Sequence, residues 1–174
     1  MNDIIYCIGG ASGSGKTTVA KSLHDEGYNV IQSYTTRPPR EVGEWGHTFV
    51  DETEEDPHKW PAGVIAHNIF NGFRYWATKE QYFGKCKTIY VIDPIGVEHL
   101  RKTIDEPIVV ITLYASERVL VERMCVERGG REALQRRKHD RKVFACVPTD
   151  WVIDTDQTKG QVLKNVKNII EGKV

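Results

Sequence analysis

Short apolar runs divide the chain into regularly spaced segments. Four runs are nearly continuous in apolar residues rather than alternating: Ile4–Gly9, Thr88–Ile92, Ile108–Tyr114 and Trp151–Ile153. A strand that is apolar on both faces is covered on both sides, as in a parallel sheet flanked by helices. The runs therefore predict the strands of a buried parallel sheet.

Helical patterns occur between these runs. Three stretches carry apolar residues at helical spacing: Val19, Ala20 and Leu23; Val119, Leu120, Met124 and Cys125; and Val162, Leu163, Val166, Ile169 and Ile170. Ser116 is a suitable N-cap for the second of them, because its hydroxyl can accept from an unpaired N–H of the first turn. Strands that alternate with helices predict an α/β fold with right-handed crossovers.

Two regions interrupt this alternation. From about Ser33 to Thr78 the sequence has prolines, aromatic residues and short β-like pieces but no helical pattern, which predicts an inserted small β-rich lobe. The stretch Arg128–Arg131 contains a glycine pair between two arginines. Glycines allow a mobile joint, and arginines suit phosphate, so this stretch is predicted to be a lid.

The first loop contains a phosphate-binding motif. Gly10-Ala11-Ser12-Gly13-Ser14-Gly15-Lys16-Thr17 matches G-x-x-x-x-G-K-[ST], between a predicted strand and a predicted helix. Glycines let the backbone N–H groups turn toward phosphate oxygens, and the helix N-terminus adds partial positive charge. The motif predicts ATP and Mg²⁺ as cofactors, with Lys16 on the β- and γ-phosphates and the Thr17 hydroxyl on the metal. Thr18 completes the predicted nucleotide-binding set.

The motif leaves the reaction open, since ATPases, GTPases and small-molecule kinases share it. No N-K-x-D motif for guanine reading accompanies it, which argues against a GTPase. The segment Ser33-Tyr34-Thr35-Thr36-Arg37-Pro38-Pro39-Arg40 places two arginines three residues apart, next to two prolines. Guanidinium groups bind phosphate bidentately, so Arg37 and Arg40 suit the phosphate of an acceptor. A solvated surface loop is the alternative interpretation.

The chain resembles the guanylate kinase family in a series of segments that follow the family's order. After the motif and the T-T-R-x-P-R segment, the matching segments are Gly43-Glu44, His47–Val50, Gly72–Thr78, Asp93–Gly96, Arg128-Gly129 with Arg136 and Arg137, and Asp150–Asp154. The resemblance implies a P-loop kinase three-layer α/β fold with a parallel sheet, an inserted β-rich acceptor lobe and a short lid. It implies one domain over residues 1–174, with a core of 1–32 and 79–174, an acceptor-binding lobe of 33–78 and a lid at about 128–136.

The resemblance also implies roles for residues and an activity. Ser33 would contact the acceptor base, and Asp93 would lie near that base or near the water shell of the metal. Arg37, Arg40, His47 and Tyr75 would bind the acceptor phosphate. The catalytic residues would be Lys16, Arg37, Arg128, Arg131 and Arg136. The implied activity is ATP-dependent phosphorylation of a nucleoside monophosphate, with GMP or dGMP favoured.

The chain departs from the family where the family reads the base. A glutamate nine residues before Tyr75 would accept the N–H donors of guanine, but Ala66 occupies that position. The family's tyrosine is His47 here, and a family hydroxyl falls on Ala77, unless Thr78 takes its place. A kinase of another phosphorylated metabolite, such as a ribose phosphate, and a non-catalytic binding module therefore remain as alternatives.

Composition and charge limit the possible partners. The 24 Lys and Arg balance 24 Asp and Glu, which argues against bulk binding to nucleic acid or to an anionic membrane. The four cysteines lack C-x-x-C spacing, and no signal peptide or membrane span is found. We expect a cytoplasmic monomer or homodimer that binds a small phosphorylated molecule, without nucleic-acid or membrane partners.

Overall fold

The computed structural model describes residues 3–51, 59–128, 137–138, 140–141, 143–144 and 148–174, with Glu127 and Arg128 described by their backbone alone. Nine strands are assigned in this part of the chain: β1 (Ile4–Gly9), β2 (Asn29–Ile31), β3 (Ser33–Thr35), β4 (His47–Phe49), β5 (Val64–Phe70), β6 (Phe73–Thr78), β7 (Lys87–Val91), β8 (Ile108–Tyr114) and β9 (Trp151–Asp154). The α-helices assigned there are α1 (Lys16–Asp25), α2 (Pro94–Thr103), α3 (Glu117–Arg128) and α4 (Lys159–Glu171). A 3₁₀ turn, Lys79–Gln81, joins β6 to the rest of the core.

Five strands form the predicted parallel sheet, in the order β2-β7-β1-β8-β9. The central strand β1 pairs with β7 on one side and β8 on the other, so the sequence order of neighbouring strands reverses there. In open α/β sheets, ligands bind beyond the carboxyl ends of strands at such a switch point. The loop after β1, which carries the glycine-rich motif, leaves the sheet at this position.

Alternate residues of β1 enter two separate cores. Tyr6 and Ile8 pack with the apolar residues of α1 and α4, which cover one face of the sheet. Ile5 and Cys7 pack on the other face, against α2 and the inner side of β5 and β6. Continuous apolar sequence in β1 is thus explained by burial on both faces, which confirms the three-layer α/β fold.

Strands β3 to β6 form a second, four-stranded sheet in the order β4-β3-β6-β5. Both β5–β6 and β3–β6 pairs are antiparallel, and β3–β4 is parallel. Because antiparallel partners project on the same side, Asn68 and Tyr75 lie on one face of this sheet, and His67 and Trp76 on the other. The inserted region is therefore β-rich, as predicted.

The sequence pattern did not predict α2. Asp93 is its N-cap and accepts a hydrogen bond from Gly96 N at 2.8 Å, and Pro94 opens the helix.

Among the described residues, none of the helices combines the length and hydropathy that a membrane crossing requires.

Candidate functional site

A cleft of about 690 Å³ lies between the carboxyl end of the parallel sheet and the second sheet. Residues of the predicted nucleotide site and of the predicted acceptor site both line this cleft. They are Gly10, Ser12, Lys16, Ser33, Arg37, Arg40, His47, Tyr75 and Asp93. The structure thus brings the glycine-rich loop and the predicted acceptor residues to one cavity. This volume is in the range of pockets that hold small molecules.

Backbone conformations in the loop between β1 and α1 require glycine. Gly10, Gly13 and Gly15 have positive φ, and a Cβ on Gly10 would lie 2.4 Å from the Leu113 carbonyl oxygen. Ser14 is fully buried, and its hydroxyl has no hydrogen-bond partner among the described residues. Gly15 is the N-cap of α1, so the loop presents N–H groups and the positive end of the helix together.

The remaining loop residues lie beside this turn. Ala11 is half-buried, and Thr17 and Thr18 are exposed in the first turn of α1. The Lys16 ammonium donates to the carbonyl oxygens of Gly10 at 2.6 Å and Ala11 at 2.9 Å. Lys16 is therefore held along the inner side of its own loop, with its charge at the cleft.

A carboxylate already engages the loop. The backbone N–H of Ser12 donates to Asp140 Oδ2 at 2.7 Å, and Asp140 is only 1% exposed. Backbone N–H groups of this loop are the donors that the motif supplies to phosphate oxygens. Asp140 thus provides an anion where a nucleotide phosphate is expected to bind, and the sequence analysis did not identify it.

We expect Asp140→Asn to tighten the binding of Mg·ATP by roughly tenfold, because a charged competitor for a loop N–H becomes neutral. Titration calorimetry with a non-hydrolysable ATP analogue measures the change. Asp150→Asn is the matched control, since the Asp150 carboxylate also accepts a backbone N–H, that of Val110 at 2.7 Å, but does not line the cleft. Weaker binding by the Asp140 variant alone would mean that this carboxylate supports the nucleotide site.

Two further arginines, to which the sequence analysis assigned no role, make contacts with residues outside their own segments. Arg123 donates to the carbonyl oxygens of Gly13 at 3.2 Å and Thr155 at 2.7 Å, so it ties the loop to the end of β9. Arg137 is buried and pairs with Glu117 on α3. Both contacts join residues far apart in sequence, and neither has a local sequence signal.

Arg37 is held by an internal carboxylate. Its guanidinium donates to both oxygens of Glu44, at 2.7 and 3.1 Å, and lies 5.3 Å from the Phe49 ring centroid. Arg40 is more exposed and reaches Glu44 at 3.5 Å. The predicted pair of arginines is therefore part of a triad with Glu44, and one negative charge offsets part of its positive charge.

This triad makes stability depend on pH. Hydrogen bonding from Arg37 lowers the pKa of Glu44 from 4.5 to about 2. A depressed carboxyl pKa contributes stability that is complete above pH 4.5 and is lost as the pH falls through 2. The shift corresponds to roughly 3 kcal/mol in the free energy of unfolding.

We expect Glu44→Gln to remove the contribution of Glu44 to the pH dependence of the free energy of unfolding between pH 6 and pH 2. Urea unfolding at each pH measures this free energy. Glu41→Gln, an exposed change three residues earlier, is the control and should leave the dependence in place. Equal dependence in the wild type and the Glu44 variant would refute the assignment.

The histidine in the tyrosine position of the family is not a cation at neutral pH. Burial, together with the nearby charge of Arg37, lowers the pKa of His47. Its ring lies 5.6 Å from the Tyr75 ring, in an edge-on arrangement, and its Nδ1 is buried without a partner among the described residues. A neutral imidazole still has one ring N–H to donate to a phosphate oxygen.

Polar side chains also line the deeper part of the cleft. Ser33 is buried in β3, with its hydroxyl 3.3 Å from the Tyr90 hydroxyl. Ala66 is 2% exposed and packs into the core with Ala77. Two residues further along β5, Asn68 Nδ2 donates to Asp93 Oδ2 at 2.7 Å. The sequence analysis selected Asp93 and Ser33 but not Asn68 or Tyr90.

The predicted lid at about 128–136 lies outside the described residues, apart from the backbone of Arg128. Arg131 and Arg136 lie outside the described residues, and so does the side chain of Arg128. Their proposed roles remain predictions.

Comparison with solved structures supports the architecture. A guanylate kinase from Anaplasma phagocytophilum matches 99% of this chain and 86% of its own, with a TM-score of 0.64 and 19% identity. TT1252 from Thermus thermophilus matches 100% of this chain and 99% of its own, with a TM-score of 0.57 and 12% identity. APE1195 matches 98% of this chain and 96% of its own, with a TM-score of 0.54 and 14% identity. The likeness is one of fold. At these identities it establishes the P-loop kinase-like architecture alone.

Sequence comparisons add no family. No protein-family model matches the chain. No curated protein matches it either.

Proposed function

We propose that the chain is an ATP-dependent nucleoside monophosphate kinase that transfers the γ-phosphoryl group of Mg·ATP to GMP, dGMP or a related nucleotide. One observation carries the proposal: the glycine-rich loop and the Arg37–Arg40 segment line the same cleft. A phosphotransferase must bring two polyanions together, and a cleft lined by both a phosphate-binding loop and arginines suits that task. The fold likeness to a guanylate kinase agrees with it.

The loop fits the phosphates of ATP. Its positive-φ glycines leave space close to the backbone, and the Ser12 N–H already donates to an anionic partner, the Asp140 carboxylate. Among the described residues, no group of three or more His, Cys, Asp or Glu is arranged to hold a metal ion. Mg²⁺ commonly takes one or two protein oxygens and otherwise water and phosphate, so the Thr17 hydroxyl is a sufficient protein ligand.

Mg·ATP supplies the transferable phosphoryl group and a metal charge that neutralises the phosphates. The residues of the chain bind the donor and the acceptor and orient them for the transfer. Loop N–H groups and Lys16 hold the donor phosphates, and Arg37, Arg40 and Tyr75 hold the acceptor phosphate. A phosphate monoester is largely dianionic at neutral pH, because its second pKa is about 6, so the acceptor needs no general base. Arg128, Arg131 and Arg136 would close over the transferring group and exclude water.

One observation favours a second acceptor class. Ala66 is packed in the core and offers no carboxylate to the guanine N–H donors. An acceptor without a base, such as a ribose phosphate, needs no such group. The second candidate is therefore a kinase of another phosphorylated metabolite in the same cleft.

The deciding experiment measures ADP formation from Mg·ATP with a panel of acceptors: GMP, dGMP, the other nucleoside monophosphates and several sugar phosphates. Turnover with GMP or dGMP above all others supports the proposal. Turnover with sugar phosphates alone supports the second candidate. Tight ATP binding without turnover on any acceptor would indicate a non-catalytic binding module.

A further inference from the structure

Part of the cleft has a lining that suits a planar ring. Phe70, Phe73 and Ile92 line it with apolar surface, and Asn68 and Asp93 line it with polar groups. Apolar walls with a few placed polar groups are typical of sites for heterocyclic ligands. The polar pair is therefore the group that can select among bases.

Asp93 fixes the orientation of the Asn68 amide. The oxygen and the nitrogen of an asparagine amide are distinguished by their partners, and an ionised carboxylate can only accept hydrogen bonds. Asn68 Nδ2 donates to Asp93 Oδ2 at 2.7 Å, so Asn68 Oδ1 must point the other way. Asp93 Oδ1 is itself fixed by the Gly96 N–H at the start of α2, which holds the carboxylate in place.

Asn68 Oδ1 accepts no hydrogen bond within the part of the chain that the structure describes. Asn68 pairs with Tyr75 across the β5–β6 ladder, so both side chains project on the cleft side of the sheet. A carbonyl oxygen held in this way is an acceptor for one N–H group of a ligand. It takes the role that Ala66, two residues earlier on the same strand, is unable to take.

We propose that Asn68 reads the acceptor base through its side-chain carbonyl, with Asp93 as the positioning residue, and that the site takes 6-oxopurine monophosphates. The inference rests on the proposed function, since it assumes that a nucleotide acceptor enters this cleft. Guanine and hypoxanthine both carry a ring N–H that this oxygen can accept. Adenine has an unprotonated nitrogen at that position, whose lone pair would face the lone pairs of Asn68 Oδ1.

A carbonyl oxygen differs from a carboxylate in what it can discriminate. A carboxylate has two oxygens for the adjacent ring N–H and 2-amino group of guanine, whereas the amide offers one. The 2-amino group of guanine should therefore contribute little to binding. Strong rejection requires a polar group that the wrong ligand leaves unpaired, and for IMP there is none here.

The test is acceptor binding, measured by titration calorimetry with GMP, IMP and AMP in the full chain. We expect GMP and IMP to bind within about tenfold of each other and AMP to bind more weakly than both. Asn68→Ala should weaken GMP and IMP equally, by about tenfold, and leave Mg·ATP binding unchanged. Asn29→Ala is the control: it removes an asparagine that ties β2 to Gln81 and Thr88 outside the cleft.

Asp93→Asn tests the positioning role. Asparagine caps a helix as well as aspartate does, so α2 should persist. The amide of Asn68 would no longer have a partner that accepts only, and its two orientations would become comparable. We expect the preference for IMP over AMP to shrink several-fold, a change that a purely structural role for Asp93 would not produce.

The outcomes separate this inference from the proposed function. Binding of GMP and IMP that depends on Asn68, without turnover, would support the inference and reject the kinase proposal. Turnover of GMP that Asn68→Ala leaves unchanged would overturn the inference and support the kinase proposal. A protein that binds none of the three nucleotides, or that prefers GMP to IMP by more than about a hundredfold, would also overturn the inference.

Discussion

Lys16→Met should lower the rate of phosphoryl transfer by about 10²–10³-fold, because it removes a fixed positive charge from the site where negative charge develops. The Lys16 ammonium is held by the carbonyl oxygens of Gly10 and Ala11, within 3 Å of both, so its position is set by the loop itself. Methionine fills a similar volume, and the change leaves α1 intact because methionine is a good helix former.

Steady-state assays at saturating acceptor measure this loss, and circular dichroism confirms that the variant is folded. Lys21→Met is the matched control, since Lys21 is an exposed lysine of the same helix. The control should retain full activity. Near-normal turnover in the Lys16 variant would refute both the phosphate contact and the proposed mechanism.

The strands and helices that carry a strong pattern were predictable from the sequence. The bounds of β1 and β8 follow their apolar runs to the residue, because most side chains on both faces of each strand are covered and few positions are polar. The stripe of α4 was equally clear, and Val162, Val166, Ile169 and Ile170 are buried as predicted. Helix α2 lacks such a stripe, and its signals are the cap at Asp93 and the proline that follows.

Gly96 shows why α2 was difficult to predict. A Cβ at this position would lie 2.6 Å from Ile92 Cγ1, so the helix approaches the preceding strand at a glycine rather than through an apolar side chain. Only Val97 and Leu100 accompany it in the core. A short helix with two large buried residues gives too weak a periodicity for recognition.

The residues of the cleft also fall into two groups, those with a local sequence pattern and those without one. The motif and the Thr35–Arg40 segment are local sequence patterns, and both identified residues that line the cleft. The contacts of Asp140 with Ser12 and of Asn68 with Asp93 join residues 128 and 25 positions apart. Nothing local in a sequence specifies such pairs. Arg37 and Glu44 are only seven positions apart, but an arginine pattern that suits a ligand phosphate does not by itself reveal an internal carboxylate partner.

Replacement of Arg37 should affect the acceptor far more than ATP. Arg37→Ala is expected to raise the KM of the acceptor by about a hundredfold and to leave the KM of ATP within about threefold, because charged hydrogen bonds to phosphate contribute roughly 1.5–3 kcal/mol each. Arg37 follows a strand of the second sheet, whereas the glycine-rich loop follows β1 of the parallel sheet, so a donor nucleotide bound to the loop should not depend on Arg37.

The fold complicates this variant. Arg37→Ala leaves the Glu44 carboxylate, with 13% of its side chain exposed, without its main partner, and loss of one member of such a pair can cost about 3–5 kcal/mol. Thermal unfolding must therefore precede the kinetics. The double change Arg37→Ala with Glu44→Gln removes both charges and should recover stability without recovering acceptor affinity, which separates the structural role from the binding role.

Arg40→Ala provides a variant whose folding is not in question, because the Arg40 side chain is 59% exposed and reaches Glu44 at only 3.5 Å. It should raise the acceptor KM by about tenfold with little change in stability. If both arginine variants raised the KM values of ATP and acceptor equally, the Arg37–Arg40 segment would not be the acceptor site. If the double change restored both stability and acceptor affinity, Arg37 would serve only to pair Glu44, and the acceptor phosphate would have to bind elsewhere in the cleft.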